Sequence, residues 1–458
     1  MARTEPARGM RDFLPEDVRR REHVIGVITA VYERYGFEPL ETPAVENLET
    51  LLGKYGDEGN QLIFKILKRG EHEASGQADL ALRYDLTVPL ARVIAHHQSR
   101  LPRLFRRYQI QPVWRADRPA RGRFREFYQC DVDALGSTSP VVEAEVCAAV
   151  SDALEALGFD DFVIRVNHRQ MLTDVLNAAG VTPDRHATAL VALDKLDKVG
   201  LADVKGELAD RGVSAESIRA ISGLHESAKV FGENAPKGAE SSLTMLRGLG
   251  ETYDTMSSVV TGDAGENLRL VFEAIGQTSA ASRVVYDPFL ARGLSYYTGA
   301  IMEINVADLA GSLGGGGRYD DLVGMFLGQP VPACGFSLGL ERILVVMAER
   351  DMFPAPLHGS AADVMVSVFE AAGSPHALRL AGLLRAAGLR VIVYPDADKI
   401  GKQIKYADSL GIPRVALLGS DEIAAGTVTV RTLAARTQEI HPQEAAAAAI
   451  LEALRRRG

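Results

Sequence analysis

Apolar residues recur at helical spacing over residues 15–35, where Val18, Val24, Ile25, Ile28 and Val31 share a face among Arg and Glu. Pro15 opens this predicted helix and Gly36 stops it. Short runs of strand character follow at 37–40, 62–67 and 80–84, and helical spacing returns at 87–97. Strand spacing at 111–115 and 123–133 brackets Asp117-Arg118-Pro119-Ala120-Arg121-Gly122, whose Asp, Pro and Gly are turn residues, so an antiparallel hairpin is predicted. A period of two sets Arg123, Arg125, Phe127, Gln129, Asp131 and Asp133 on one side of its second strand. Cations alternating with amide and carboxylate groups down one face point to a phosphate site beside a small polar molecule, rather than to a surface hairpin with a basic tip.

A helix at 140–157, a strand at 162–166 and a helix at 169–179 extend this part into a mixed domain with mainly antiparallel strands, an α+β arrangement. Between 184 and 277 the pattern changes to short Ala-, Leu-, Lys- and Glu-rich helical segments broken by Gly, which reads as a helical insertion. Strand signals return at 283–286 and 301–306, so the sheet domain is split around the insertion. After Phe353-Pro-Ala-Pro the pattern turns regular: strand 364–369, helix 375–387, strand 390–394, helix 400–410, strand 414–418, strands near Val428 and Ile440, and a last helix to Arg457. The expected layout is 1–183 and 278–352 for the two parts of the sheet domain, 184–277 for the insertion and 353–458 for a separate α/β domain.

The length of 458 residues fits about three domains. With 47% hydrophobic and 24% charged residues, and no apolar run near the roughly 20 residues of a membrane span, a soluble cytoplasmic protein is expected. The N-terminus lacks the apolar core of a secretory signal. Three cysteines without Cys-x-x-Cys spacing fit neither a disulfide framework nor zinc, so no zinc is expected. A net charge of −9 argues against non-specific coating of nucleic acid but leaves local contacts open, with Arg100, Arg103, Arg106 and Arg107 forming one basic patch and Arg455, Arg456 and Arg457 another. For the terminal trio, favourable charge at a helix end explains as much.

Other motifs add chemistry. Ala291-Arg-Gly-Leu-Ser-Tyr-Tyr-Thr-Gly299 sets Arg292 beside two tyrosines between glycines, which permit a loop with both rings facing a pocket. Gly311-Ser-Leu-Gly-Gly-Gly-Gly-Arg-Tyr-Asp320 lacks the spacing of a nucleotide fingerprint and reads as a turn before a helix near Tyr319, with backbone bare enough for a ligand to approach. In Pro332-Ala-Cys-Gly-Phe-Ser-Leu-Gly-Leu-Glu-Arg-Ile343 a strand runs into a helix and puts Arg342 in the first turn, where a cation opposes the helix dipole and suits an anionic ligand. In Leu82-Arg-Tyr-Asp-Leu-Thr-Val-Pro89, taken alone, Asp85 or Thr87 caps a helix.

Together and in this order, Arg-Tyr-Asp-Leu-Thr-Val-Pro, the 113–133 hairpin, Arg-Gly-Leu-Ser-Tyr-Tyr-Thr-Gly, Gly-Gly-Gly-Gly-Arg-Tyr-Asp and Gly-Phe-Ser-Leu-Gly-Leu-Glu-Arg resemble the histidyl-tRNA synthetases, a class II aminoacyl-tRNA synthetase family. The resemblance covers nearly the whole chain, including the opening Arg8-Gly-Met-Arg-Asp-Phe-Leu-Pro15. It implies a class II catalytic domain of mainly antiparallel sheet flanked by helices, a helical insertion touching the tRNA acceptor arm, a C-terminal α/β anticodon-binding domain, and a homodimer. The implied reaction joins L-histidine to ATP, as its Mg2+ complex, giving histidyl-adenylate and pyrophosphate, and then transfers histidine to the 3′ end of tRNA(His). By position in the family motifs, Arg115 contacts the α-phosphate and Arg292 is the catalytic cation opposite it; Asp117, Arg123 and Arg342 belong to the ATP site, and Phe124 stacks on adenine. Asp85, Leu86, Thr87, Gln129 and Asp133 match the positions around the histidine amino group, with Arg115 and Arg292 adjoining, while Tyr296, Tyr297 and Tyr319 line the imidazole side. Arg118 and Ala120 fall in the loop expected near the acceptor end. The family usually carries Asp where this chain has Ser295, a change that spares the arginine and both tyrosines. The rival reading is a catalytically inactive relative, either a synthetase-like regulatory subunit or an uncharged-tRNA sensor. The full C-terminal domain and the retained Arg292, Tyr296 and Tyr297 argue against the first; a sensor's extra modules have no room here.

Overall fold

The computed structural model describes residues 4–53, 61–70, 75–234, 236–252, 254–291, 296–354, 360 and 362–455. Arg292, Ser295, Arg456 and Arg457, named above, lie outside the described residues. The chain divides into two compact units, Met1–Phe353 and Pro354–Gly458.

The first unit opens with helix α1 (Pro15–Arg34), whose buried side includes Val24, Ile28 and Val31 of the predicted face. Strands β1 (Glu38–Pro39), β2 (Val45–Asn47), β3 (Lys65–Leu67) and β4 (Ala78–Leu82) lead to α2 (Thr87–His97). The hairpin follows as β5 (Phe105–Trp114) and β6 (Glu126–Leu135), then α3 (Val141–Ala156), β7 (Val163–His168) and α4 (Arg169–Ala178). Next come α5 (Pro183–Leu193), α6 (Leu196–Asp210), α7 (Ala215–Asn234), α8 (Ala239–Thr252), α9 (Asp254–Thr261) and α10 (Asp263–Ile275). The unit closes with β8 (Val284–Tyr286), β9 (Ala300–Asn305), β10 (Ser312–Arg318), β11 (Ala333–Gly339) and α11 (Leu340–Glu349).

Eight of these strands form one sheet in the order β1-β5-β6-β11-β10-β9-β7-β8. Its interior pairs are antiparallel, and only the edge pairs β1·β5 and β7·β8 are parallel. One face is covered by helices: α3 packs on β11, α11 on β6, and α1 on both helices. Glu143 of α3 holds this layer to β10 through a buried forked pair with Arg318, at 2.6 and 2.8 Å. The opposite face carries the polar residues of β6 and is where a ligand can lie. Strands β2, β4 and β3 form a small antiparallel sheet beside it, and the buried Arg83 ties the two together by donating to the Pro112, Thr42 and Pro43 carbonyls.

The second unit comprises β12 (Val364–Val366), α12 (Ser374–Ala386), β13 (Val391–Val393), α13 (Ile400–Ser409), β14 (Arg414–Leu417), β15 (Thr427–Thr432), β16 (Thr437–Pro442) and α14 (Ala446–Arg455). In its sheet β12 runs parallel to both β13 and β14, and β14, β15 and β16 pair antiparallel. Val364, Val366, Leu380 and Ile450 fill one side and Met365, Ala407 and Val415 the other, which is why β12 reads as an unbroken apolar run.

Two expectations need correcting. The second hairpin strand begins at Glu126 rather than 123, so Arg123 and Arg125 belong to the connection and do not follow the strand's alternation. The glycine segment before Arg318 is not a turn leading to a helix: Ser312–Arg318 is the strand β10, and the helical turn after it starts only at Gly324. The packed geometry explains this. At Gly314 and Gly316 a Cβ would overlap backbone of β11, and at Gly317 it would meet the Ala300 carbonyl and the Tyr297 ring. Glycine is therefore what lets β10 lie between β9 and β11.

Candidate active site

Strand register puts Gln129, Asp131 and Asp133 of β6 opposite Gly339, Ser337 and Gly335 of β11, and sets Gly315 and Gly317 of β10 opposite Glu303 and Ile301 of β9. Paired residues share a face. The open face thus has acid and amide groups on one strand and almost bare backbone on the next two. Above this glycine floor lies a cavity of about 570 Å³, within the range of small-ligand sites.

At one side of the cavity stands an acid and tyrosine cluster. Arg107, on β5 opposite Asp133, is fully buried with Nη2 2.9 Å from the Asp133 carboxylate and 3.8 Å from that of Asp131. The Tyr319 hydroxyl donates to the other Asp133 oxygen. Burial pushes both carboxyls above their usual range against the pull of Arg107. Asp133 has the closer guanidinium and the tyrosine hydroxyl, so it is the more acidic member of the pair. Gln129 donates to the Ser337 hydroxyl at 2.7 Å. Among the described residues Gln129 Oε1 and Asp131 Oδ1 are buried acceptors without a hydrogen-bond partner, an arrangement that suits a cationic donor. Tyr296 meets Tyr297 and Tyr319 edge to face, with centroids 5.0 and 5.9 Å apart. Burial raises the Tyr297 and Tyr319 hydroxyls above their ordinary pKa, so both are neutral donors.

At the other side stand cations. The Arg115 Nε donates to the Tyr84 carbonyl at 2.7 Å, which orients the side chain along the cavity wall with its guanidinium 5.2 Å from the Phe127 centroid. Arg123 is half exposed and held by Asp117 at 2.8 Å. Arg342, in the first turn of α11, donates to the Ser312 carbonyl. Phe124 lines the cavity between these groups.

The cavity therefore brings together Thr87, Arg115, Asp117, Arg123 and Phe124 with Gln129, Asp133 and Arg342, and with Tyr296, Tyr297 and Tyr319. Asp85 and Leu86 do not line it. Asp85 accepts from Val88 N at 3.2 Å, a cap on α2, and Leu86 gives its carbonyl to Arg107. Arg125 turns away, its Nε donating to the Asp117 carbonyl. The basic patch expected at 100–107 is also divided: strand alternation sends Arg107 into the interior, while Arg106 pairs with Glu145 at 2.5 Å. Sequence reasoning missed the structural weight of Arg107, Asp131, Glu303 and Ser337; for Glu303 the only signal was an acid in an otherwise apolar strand. A second cavity, of about 460 Å³, lies between α7, α8 and the β7 and β8 edge and contains none of the residues singled out above.

Residues 9–343 match the family described as histidyl-tRNA synthetase. The chain belongs to that family. Residues 363–453 match the anticodon binding domain family. A histidine–tRNA ligase of Gloeobacter violaceus is 41% identical over 98% of this chain and 98% of its own. One from Porphyromonas gingivalis is 39% identical over 96% of this chain and 97% of its own. Among solved structures, the histidyl-tRNA synthetase of a Nostoc species superposes with a TM-score of 0.79, at 31% identity over 99% of this chain and 100% of that one. A Bacillus halodurans protein titled an ATP phosphoribosyltransferase regulatory subunit/histidyl-tRNA synthetase has a TM-score of 0.66 over 88% of this chain and 96% of its own; at 22% identity it shows the fold alone.

Proposed function

We propose that this synthetase-family chain is a histidine–tRNA ligase that activates L-histidine with ATP, taken as the Mg2+ complex, and transfers it to the 3′ end of tRNA(His). The observation that carries the reading is one cavity with guanidiniums at one side and an acid and tyrosine cluster at the other. In the first step a histidine carboxylate oxygen attacks the α-phosphorus, an adenylate P–O bond forms and pyrophosphate leaves. Negative charge crowds onto the phosphate oxygens, and fixed guanidiniums stabilise it without proton transfer. Arg115 takes the α-phosphate, Arg123 and Arg342 the terminal phosphates and Phe124 the adenine, with Asp117 holding Arg123 in place. Glu303, buried on the cavity wall, offers a carboxylate to the magnesium of the substrate complex. Arg292 is the second cation on the reacting phosphate, by its place in the family motif.

Asp133, Asp131 and Gln129 receive the histidine ammonium beside Thr87, which Asp85 and the start of α2 position. Tyr296, Tyr297 and Tyr319 meet the imidazole. A site that pairs polar groups with a polar ring rejects apolar analogues strongly, because these leave buried partners unpaired. The second unit takes the tRNA anticodon, the helices from α5 onward reach the acceptor arm, and the protein works as a cytoplasmic homodimer. Among the described residues no helix is long and apolar enough to cross a membrane.

The test is histidine-dependent exchange of labelled pyrophosphate into ATP, followed by charging of tRNA(His). Exchange that requires histidine and magnesium is expected. Folded protein that binds histidine and tRNA without exchange would make it a binding protein instead. Sedimentation velocity checks the dimer.

A further inference from the structure

Phe124 has a face that the cavity does not use. The Arg11 guanidinium lies over the ring with Cζ 3.6 Å from its centroid. Arg11 does not line the cavity that Phe124 lines, so it covers the ring from behind. It comes from the segment before α1, more than a hundred residues away in sequence. That segment is fastened to the hairpin connection, for Arg125 N donates to the Gly9 carbonyl at 2.7 Å. Gly9 adopts a φ of 84°, and a Cβ there would press on Arg125 and Pro119.

The contact is more than packing. Among the described residues Arg11 Nε and Nη2 are buried without a hydrogen-bond partner, so these two atoms are held against the rings by no hydrogen bond. Its Cζ also lies 4.7 Å from the Phe13 centroid, and Nη2 lies 3.9 Å from the buried Glu341 carboxylate at the start of α11. A cation on one face of an aromatic ring draws π density toward itself. The front face then meets a π-rich base with less repulsion, and the ring cannot swing back when the base arrives. The positive charge also acts through the ring on an anionic nucleotide.

We propose that Arg11 is a positioning residue for ATP, holding Phe124 as the adenine platform and tuning it from the rear. This rests on the reading of Phe124 given under the proposed function. The experiment compares wild type with Arg11→Ala, Arg11→Lys, Arg11→Met and Phe124→Leu in histidine-dependent pyrophosphate exchange, with thermal unfolding midpoints to check the fold. Arg11→Ala is expected to raise the KM for ATP about tenfold while kcat and the KM for histidine stay within about twofold. Arg11→Lys, which keeps a cation over the ring, recovers most of the loss. If the alanine variant does not fold, Arg11→Met keeps the bulk without the charge and shows the same direction of change. An ATP KM unchanged in Arg11→Ala, a parallel rise in both substrates' KM, a lysine variant no better than alanine, or a wild-type ATP KM in Arg11→Met would each overturn the role. Phe124→Leu separates the two layers of the argument. An unchanged ATP KM there removes the platform and Arg11's role with it, whereas a raised KM there beside a normal Arg11→Ala removes only the role of Arg11.

Discussion

At the scale of single residues, the Tyr319 hydroxyl matters because of where it sends its proton. It donates to an Asp133 oxygen in a setting where burial already favours the protonated acid. Losing that donor raises the proton affinity of a carboxylate whose work is to hold an ammonium group. Tyr319→Phe is therefore expected to raise the KM for histidine about 10- to 100-fold, the worth of one hydrogen bond to a charged group, while the KM for ATP moves less than about twofold. Steady-state exchange kinetics with each substrate varied decide it; equal effects on both would place Tyr319 outside the histidine subsite. The partners of this cluster were unequally legible in the sequence. That Gln129 and Asp133 share one face follows from strand alternation. The place of Arg107 does not, because a run of arginines looks like a surface patch until β5 is known to face β6, and only the pairing brings it opposite Asp133. Asp85 shows the reverse: the capping role readable from its own segment is a contact the structure has.

At the scale of elements, the junction of β11 and α11 carries a buried acid. Glu341 accepts from Tyr128 N of β6 at 2.9 Å and so ties the start of α11 to the hairpin. Burial raises its carboxyl to about 7. An acid with a folded pKa above its unfolded value binds its proton more tightly when folded, so stability falls as pH rises from about 4.5 toward 7. Glu341→Gln removes that slope. Urea unfolding at pH 5 and pH 8 is expected to show the variant gaining on wild type by on the order of 2–3 kcal/mol across this interval; no relative gain would mean Glu341 stays charged without cost. Most elements were visible in the sequence, because helices such as α1 and α2 show a regular apolar stripe and β12 an apolar run bounded by turn residues. The strand β10 was not. Its four consecutive glycines carry no side-chain period, and what fits them to the strand is the pair of neighbours that leave no space for a Cβ at Gly314, Gly316 and Gly317. Residues 123–125 read as strand for a related reason: Arg123 and Arg125 continue the alternation of β6 by composition, but their side chains bond to Asp117 within the connection.

At the scale of the whole molecule, each of the two compact units has its own buried apolar cluster: the cavity belongs to the first and the Val364 and Ile450 core to the second. Calorimetry is expected to resolve two transitions. Saturating histidine with a non-hydrolysable ATP analogue should raise the first unit's transition by a few degrees, since a ligand at about 100 times its Kd adds about 2.7 kcal/mol, and leave the other in place. A single transition that shifts as one would show the units to be thermodynamically fused. The floor of the cavity has a consequence of another kind. It is made of peptide groups of β10 and β11, and at Gly335 a Cβ would overlap the Asp133 carboxylate itself. A compound that draws its affinity from this floor contacts atoms every amino acid shares, and a cell seeking resistance has little to change there without losing the enzyme along with the inhibitor.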